Sequence, residues 1–370
     1  MAKQKYYNNE NYHADRPNKI RFDDNPEQME LRRLIEDNKT KVIFCTGNAG
    51  TGKALLNGTP VLTSIGWKNI EDLSLDDLVA GKDGNFYNIT GIYPQGQKDI
   101  YRVTFSDRTY VDCCEEHLWS IQTRSERGNK KGLQKNQYFP HTVTTKQLME
   151  DYNLRQGNAA NIFIPMCEPI NFVEQEHFIH PYVLGCLLGD GYIGEEGSMS
   201  FINDDQDVLD RFDALIKQNN MCLRNNYSHH YYLRKMDDQH GMSEFKKELY
   251  RLGLLGTNSS TKFIPEEYLI DSVSNRLELL KGIIDTDGYC EGSSYDIVLK
   301  SEQLIKDIQF IIESLGMTAV YTTKQSTCTN SPQGPKDCGI FHRLHIKTNE
   351  LIQKIHFSKR RDQQWKKPQA

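Results

Sequence analysis

The sequence predicts a mixed fold in two parts, a β-rich segment of short strands and turns and an α+β segment with pseudo-two-fold symmetry. Two observations predict it. Between residues 54 and 170, brief apolar and β-branched runs are separated by Gly, Asn and Asp turns. Between 171 and 357, an apolar helix ending in Asp-Gly occurs twice with its aspartates 97 positions apart, and the pattern that follows repeats at an offset of 96.

The composition sets the frame. The 370 residues are 37% hydrophobic and 26% charged, enough for two or three cores. No apolar stretch approaches a membrane span, and the polar N-terminus is unlike a signal peptide, so the expected place is the cytoplasm of a bacterial or phage-infected cell. Nine cysteines without a CxxC pair point to reduced, mostly buried thiols. The net charge of −5 falls on residues 171–370. A duplex-binding protein is usually basic, so any contact with DNA must come from specific motifs and local basic clusters.

The first 53 residues end in an interrupted phosphate loop. Lys41–Cys45 reads as a buried strand, and Gly47-Asn48-Ala49-Gly50-Thr51-Gly52-Lys53 fits GxxxxGK. In such a loop Gly47, Gly50 and Gly52 let backbone N–H groups wrap phosphate, and Lys53 reaches the terminal phosphates. The next residue should carry a hydroxyl for magnesium, and Ala54 has none. Gly58 and Pro60 then interrupt the helix that should follow. Residues 1–53 resemble the start of a PhoH-type P-loop ATPase.

From Ala54 onward the predicted elements are strands. Thr59–Thr63 leads into a Gly66 turn, Gly81–Gly84 reads as a hairpin turn, and Asp99–Phe105 alternates as a half-buried strand. Val111–Trp119 and Asn161–Pro165 follow. This order resembles the N-terminal splicing half of the Hint fold of inteins, over residues 54–170. Cys114-x-x-His117 stands where that family carries Thr-x-x-His. The resemblance implies that His117 polarises the junction peptide bond, here Lys53–Ala54, whose attack needs a donor for the oxyanion and the leaving nitrogen. Ala54 has no nucleophilic atom. With Trp119 two residues after His117, the chain resembles inteins of the third mechanistic class, which begin with a non-nucleophile. Their internal cysteine and closing His-Asn pair are expected after the endonuclease and do not appear, which implies a C-terminal intein fragment as a partner and no splicing from this chain alone.

Pro181–Asp190 and Leu277–Asp287 are the paired helices, each followed by glycine, with small residues four apart: Gly185 and Gly189, then Gly282 and Thr286. Such spacing predicts two helices whose axes approach closely. Asp190 and Asp287 would stand at helix C-termini, where the macrodipole is already negative, and bringing them together adds repulsion. A bridging divalent cation resolves this, and an oxygen-rich site that keeps its waters suits Mg²⁺. Val208/Leu304, Leu209/Ile305, Phe212/Ile308, Leu215/Ile311 and Met221/Met317 then repeat, so each half reads helix, strand, helix, strand, helix. Residues 171–357 resemble the LAGLIDADG (dodecapeptide) homing endonucleases. That resemblance implies Asp190 and Asp287 as catalytic metal ligands and Lys262, in Thr261–Pro265, as an assisting charge; a surface lysine reads equally well. It also implies double-stranded DNA as partner, met by strands in the major groove. Arg234, Lys235, Lys324, Arg343 and Lys347 are the DNA-binding candidates, within segments that mix bases, aromatics and polar readers. Residues 358–370 form a basic tail, suited to phosphate or to solvent.

The expected activity is sequence-specific, Mg²⁺-dependent double-strand cleavage at the uninterrupted P-loop-coding sequence. Two other readings stay open, a DNA-binding remnant that does not cut and an ATP-binding protein.

Overall fold

A computed structural model describes residues 55–347, except 94–96, 107–108, 129–140, 157–158, 196–197, 238–240, 292–293 and 329–335. The GxxxxGK run, Ala54, the helix expected at Glu350–Ile355 and the basic tail lie outside the described residues.

The β-rich part is built of short ladders. β1 (Pro60–Thr63) and β2 (Gly66–Asn69) form a hairpin, and β3 (Leu78–Ala80) and β4 (Phe86–Asn88) extend it to a sheet of order β2-β1-β3-β4. Gly66 turns it at φ +113°, a conformation a side chain disfavours. β5 (Tyr101–Thr104) pairs with β6 (Tyr110–Cys113). β7 (Leu118–Thr123) leads through α1 (Arg124–Gly128) to β8 (His141–Thr144) and α2 (Thr145–Glu150). Thr144 and Gln147 close a capping box on α2, which satisfies its first backbone donors. β9 (Arg155–Gln156) and β10 (Ala159–Ala160) form a two-residue ladder, and β11 (Ile162–Phe163) joins β7.

The second part is the predicted repeat. Its first half runs α3 (Pro181–Asp190), β12 (Gly191–Tyr192), β13 (Ser200–Ile202), α4 (Gln206–Ile216), β14 (Met221–Tyr227), β15 (His230–Lys235) and α5 (Glu244–Arg251). After α6 (Glu266–Leu269), the second half runs α7 (Val273–Asp287), β16 (Gly288–Glu291), β17 (Ser294–Leu299), α8 (Glu302–Ser314), β18 (Thr318–Cys328) and β19 (Lys336–Lys347). The sheets have matching orders, β12-β13-β15-β14 and β16-β17-β19-β18. Each half thus carries two hairpins where single strands were expected. The missed strands β12, β13 and β16 are two to four residues long, too short to show an alternating period.

One core joins the halves, from Ile179 and Tyr182 through Phe212 and Leu280 to Ile308 and Ile346. Asp205 caps α4 through the N–H groups of Asp207 and Val208, and Ser301, 96 positions later, caps α8 through Leu304. An Asp205→Ala change should cost about 1 kcal/mol, read as a lower urea midpoint at unchanged slope.

A linker holds the β-rich part to the second half. Ile170 N–H donates to Ser314 O at 2.8 Å, and the fully buried Arg276 guanidinium donates to Ile170 O, Ser314 Oγ and Asp271 O. Gly84, at φ +78°, lies so close to Pro169 that a Cβ would stand 2.1 Å from its carbonyl oxygen.

Candidate active site at the helix seam

α3 and α7 pack along their small residues, as the spacing requires. A Cβ on Gly185 would lie 2.2 Å from Leu279 O, and one on Gly282 would lie 2.2 Å from Tyr182 O. Backbone therefore meets backbone along the seam. Gly191 and Gly288 end the two helices in extended conformation, φ −85° and −79°. Glycine is needed there for space, because a Cβ would meet Leu187 O at 2.6 Å in one half and Ile284 O at 2.5 Å in the other.

The seam delivers Asp190 and Asp287 to neighbouring helix ends, both half-buried. A Cβ on Gly189 would stand 3.0 Å from Asp287 Oδ2, which places that carboxylate beside the residue preceding Asp190. Asn203 Nδ2 donates to Asp190 Oδ2 at 2.9 Å. Asn203 was not singled out from the sequence, where it is one polar residue among several before α4.

Lys262 is not a surface lysine. It is 6% exposed, and its Nζ donates to Leu187 O (2.8 Å), Leu188 O (3.0 Å), Gly189 O (3.2 Å) and Gly191 O (2.8 Å). It covers the carbonyls that end α3, the place where a cation best offsets the macrodipole. Burial pulls its ammonium from an ordinary 10.5 down to about 8, against the opposing pull of Asp287 and Asp190.

Among the described residues no group of three or more His, Cys, Asp or Glu is placed to hold a metal ion. Two half-buried carboxylates at a helix seam still fit Mg²⁺, which favours one or two carboxylates completed by waters and phosphate oxygens. Asp190 and Asp287 are the residues that would hold it.

The sheets supply the other expected residues. Arg234 is exposed on β15, its guanidinium carbon 5.0 Å from the Tyr232 ring centre. Lys324 is exposed on β18. Lys235 is half-buried with Nζ 3.5 Å from Asp237, and Arg343 is ion-paired to Asp296, so both are less available to phosphate than their sequence suggested. At Asp296, burial works to raise the carboxyl, but Arg343 and His345 pull harder and hold it low. Lys347 ends β19. The register adds Tyr192 and Tyr289, 55% and 59% exposed, one after each helix-ending glycine. Their signal was in the sequence, as a Gly-Tyr pair following each Asp.

A second cluster lies in the β-rich part. Leu55, the first described residue, bridges to Cys113, and Leu56 N–H donates to Asp112 O at 3.1 Å. Cys114 is buried, and the His117 ring meets Trp119 edge-on at 4.9 Å. Trp119 Nε1 donates to Thr145 Oγ1 at 2.9 Å, and Thr145 N–H donates to His117 O at 2.9 Å. Thr145, invisible to motif reading, ties the histidine and tryptophan to one frame.

Fold and site define a duplicated α/β module whose two aspartates meet at a close helix crossing. A family model described as homing endonuclease matches residues 263–363, so this stretch is similar to those enzymes. The replicative DNA helicase DnaB of Mycobacterium intracellulare is 26% identical over 293 residues, covering 76% of this chain. The chain spans 46% of that relative's length. Solved structures of the homing endonuclease I-DmoI are similar at 16% identity and a TM-score of 0.31: one of mesophilic variants, covering 49% of this chain and 95% of that one, and one in complex with DNA and Mn, covering 49% and 96%. Among the described residues no helix is long and apolar enough to cross a membrane.

Proposed function

We propose that the chain is a homing endonuclease of the LAGLIDADG type, making a sequence-specific, Mg²⁺-dependent double-strand break in DNA. The observation that carries this is the seam itself: two acids sit at helix C-termini, and backbone contact through Gly185 and Gly282 keeps them near each other. For stability alone that placement is unfavourable. A bound Mg²⁺ would supply polarisation of the phosphodiester and a more acidic water. Asp190 and Asp287 would hold the cation, and Lys262, buried beneath the end of α3, would offset their charge. The exposed Arg234, Lys324, Tyr192 and Tyr289 would meet the duplex, the bases contacting phosphate and the aromatics base edges. Linearisation of a target plasmid in Mg²⁺, abolished by EDTA, tests the reading.

Lys262 makes the activity pH-dependent. A charged ammonium has three N–H donors for the α3 carbonyls and a neutral amine two. Cleavage should therefore fall roughly tenfold between pH 7 and 9 as the proton leaves near 8. The sign for stability is opposite. The folded value lies below the unfolded one, so this group's contribution rises with pH between about 8 and 10.5, where the unfolded chain holds the extra proton. Single-turnover rates across pH, with Lys262→Met as the variant that is slow throughout and lacks the alkaline fall, check this.

For residues 54–170 we infer an N-terminal splicing half. The support is local: the chain leaving Ala54 is paired to the strand that ends at Cys113, beside Cys114, His117 and Trp119. Residues 1–53 precede this half. That those 53 belong to a PhoH-like ATPase rests on their sequence. Scission of Lys53–Ala54 on adding a C-terminal intein fragment that carries the nucleophilic cysteine and the closing His-Asn pair, seen by mass spectrometry and lost in His117→Ala, would support the splicing reading; equal scission in both would remove it.

A further inference from the structure

We propose that His345 reads one base of the DNA target, its Nε2 kept as a hydrogen-bond acceptor by Asp296, and that it selects an amino-bearing base, adenine or cytosine. The proposal deepens the endonuclease reading and takes the duplex from it.

The placement comes from β19. Leu344 and Ile346 are fully buried in the core, so Arg343 and His345 stand on the opposite face of the sheet. Their side chains are 45% and 38% exposed. The ladder puts Asp296 of β17 opposite His345, and Tyr289 of β16 opposite Asp296. Lys324 pairs with Phe341, two positions along β19 from Arg343, and so shares the face. His345 therefore stands among the residues that would meet the duplex.

Asp296 lies between two donors. Arg343 Nη2 donates to its Oδ2, and His345 Nδ1 lies 2.9 Å from its Oδ1. Although burial favours the protonated acid, Arg343 and His345 hold this carboxyl ionised. A carboxylate only accepts, so the imidazole must carry its proton on Nδ1. In the neutral ring the lone pair is then left on Nε2. Among the described residues the ring has no other hydrogen-bond partner. In the major groove such an acceptor meets the amino group of adenine or cytosine and opposes the keto oxygen of guanine or thymine.

The first half has no counterpart. Ser200 takes the place of Asp296 and Tyr232 that of His345, and a hydroxyl accepts as readily as it donates. The fixed preference should fall in one half of the target only.

Selection of bound duplexes from a randomised pool reads this without cleavage, in Ca²⁺ at about pH 8.5, well above the ordinary imidazole value near 6.5. A single acceptor does not separate adenine from cytosine. The signature is one position that takes both on the same strand and neither guanine nor thymine. His345→Leu should level the four bases there and weaken binding to the native target about tenfold, with the other positions unchanged. Asp296→Asn, whose amide can donate to Nδ1, should relax the same position alone. ¹⁵N NMR of the free protein should place the His345 proton on Nδ1 in the native chain and partly on Nε2 in Asp296→Asn, a shift that a merely structural role would not produce. A native proton on Nε2, a grouping of the bases other than amino against keto, or uniform weakening across sequences in His345→Leu overturns the proposal. Selection of this pattern with no cut in Mg²⁺ would sink the endonuclease reading and leave this one standing. A native chain that selects no sequence would overturn both.

Discussion

Asp287→Asn, and separately Asp190→Asn, should reduce DNA cleavage about 10³-fold or more while leaving target binding within a few-fold of the native chain. The asymmetry between the two readouts follows from position. Both aspartates lie at the seam, whereas the exposed bases and aromatics are on the sheets. Removing one carboxylate takes a ligand from the cation and few contacts from the duplex. Stability should move the other way. Each acid stands at the negative end of a helix beside its counterpart, so neutralising one should raise stability by about 0.3–1 kcal/mol. A variant that loses activity yet melts no lower than the native protein has lost chemistry and not fold. Cleavage rates, filter binding in Ca²⁺ and a melting curve decide it; a variant that cuts at the native rate would remove that aspartate from the mechanism.

Gly282→Val should be the most damaging substitution for the fold. Its Cβ would stand 2.2 Å from Tyr182 O and 2.8 Å from Cys186 N, both backbone atoms that cannot rotate aside. The helices must separate, and the core that spans both halves must follow. Overpacking of side chains typically costs about 1–3 kcal/mol, and backbone obstruction at the centre of a core should reach or exceed the upper figure. Equilibrium unfolding in urea measures it. Gly58→Val is the comparison for the loss of glycine away from the seam: φ is +84° there, but nothing lies within 4 Å of its Cβ, so the penalty is conformational alone. If the two variants unfold alike, the seam is not the close contact it is taken to be.

How much of this was legible in the sequence depended on repetition and period. The paired helices, their glycine spacing and the offset of α4 against α8 could be read because each pattern occurred twice. The sheets were half legible: β14 and β18 followed the repeat, but β12 and β13 are too short to carry a period. Side-chain partnerships across long separations left no mark. Lys262 could be read equally as an assisting charge or as a surface residue, because its four acceptors are carbonyls more than 70 positions away and nothing local forecasts a buried ammonium. Asn203 and Thr145 were missed for the same reason. Arg343 and Lys235 looked available because Asp296 and Asp237 join them only once strands pair or turn.

The most direct test is to incubate the full chain and Mg²⁺ with two plasmids, one carrying the uninterrupted P-loop-coding sequence and one the same sequence with the element inserted. The account predicts linear product with a single pair of mapped ends from the first plasmid and none from the second. Folded protein that leaves both plasmids supercoiled, or cuts both alike, would contradict it.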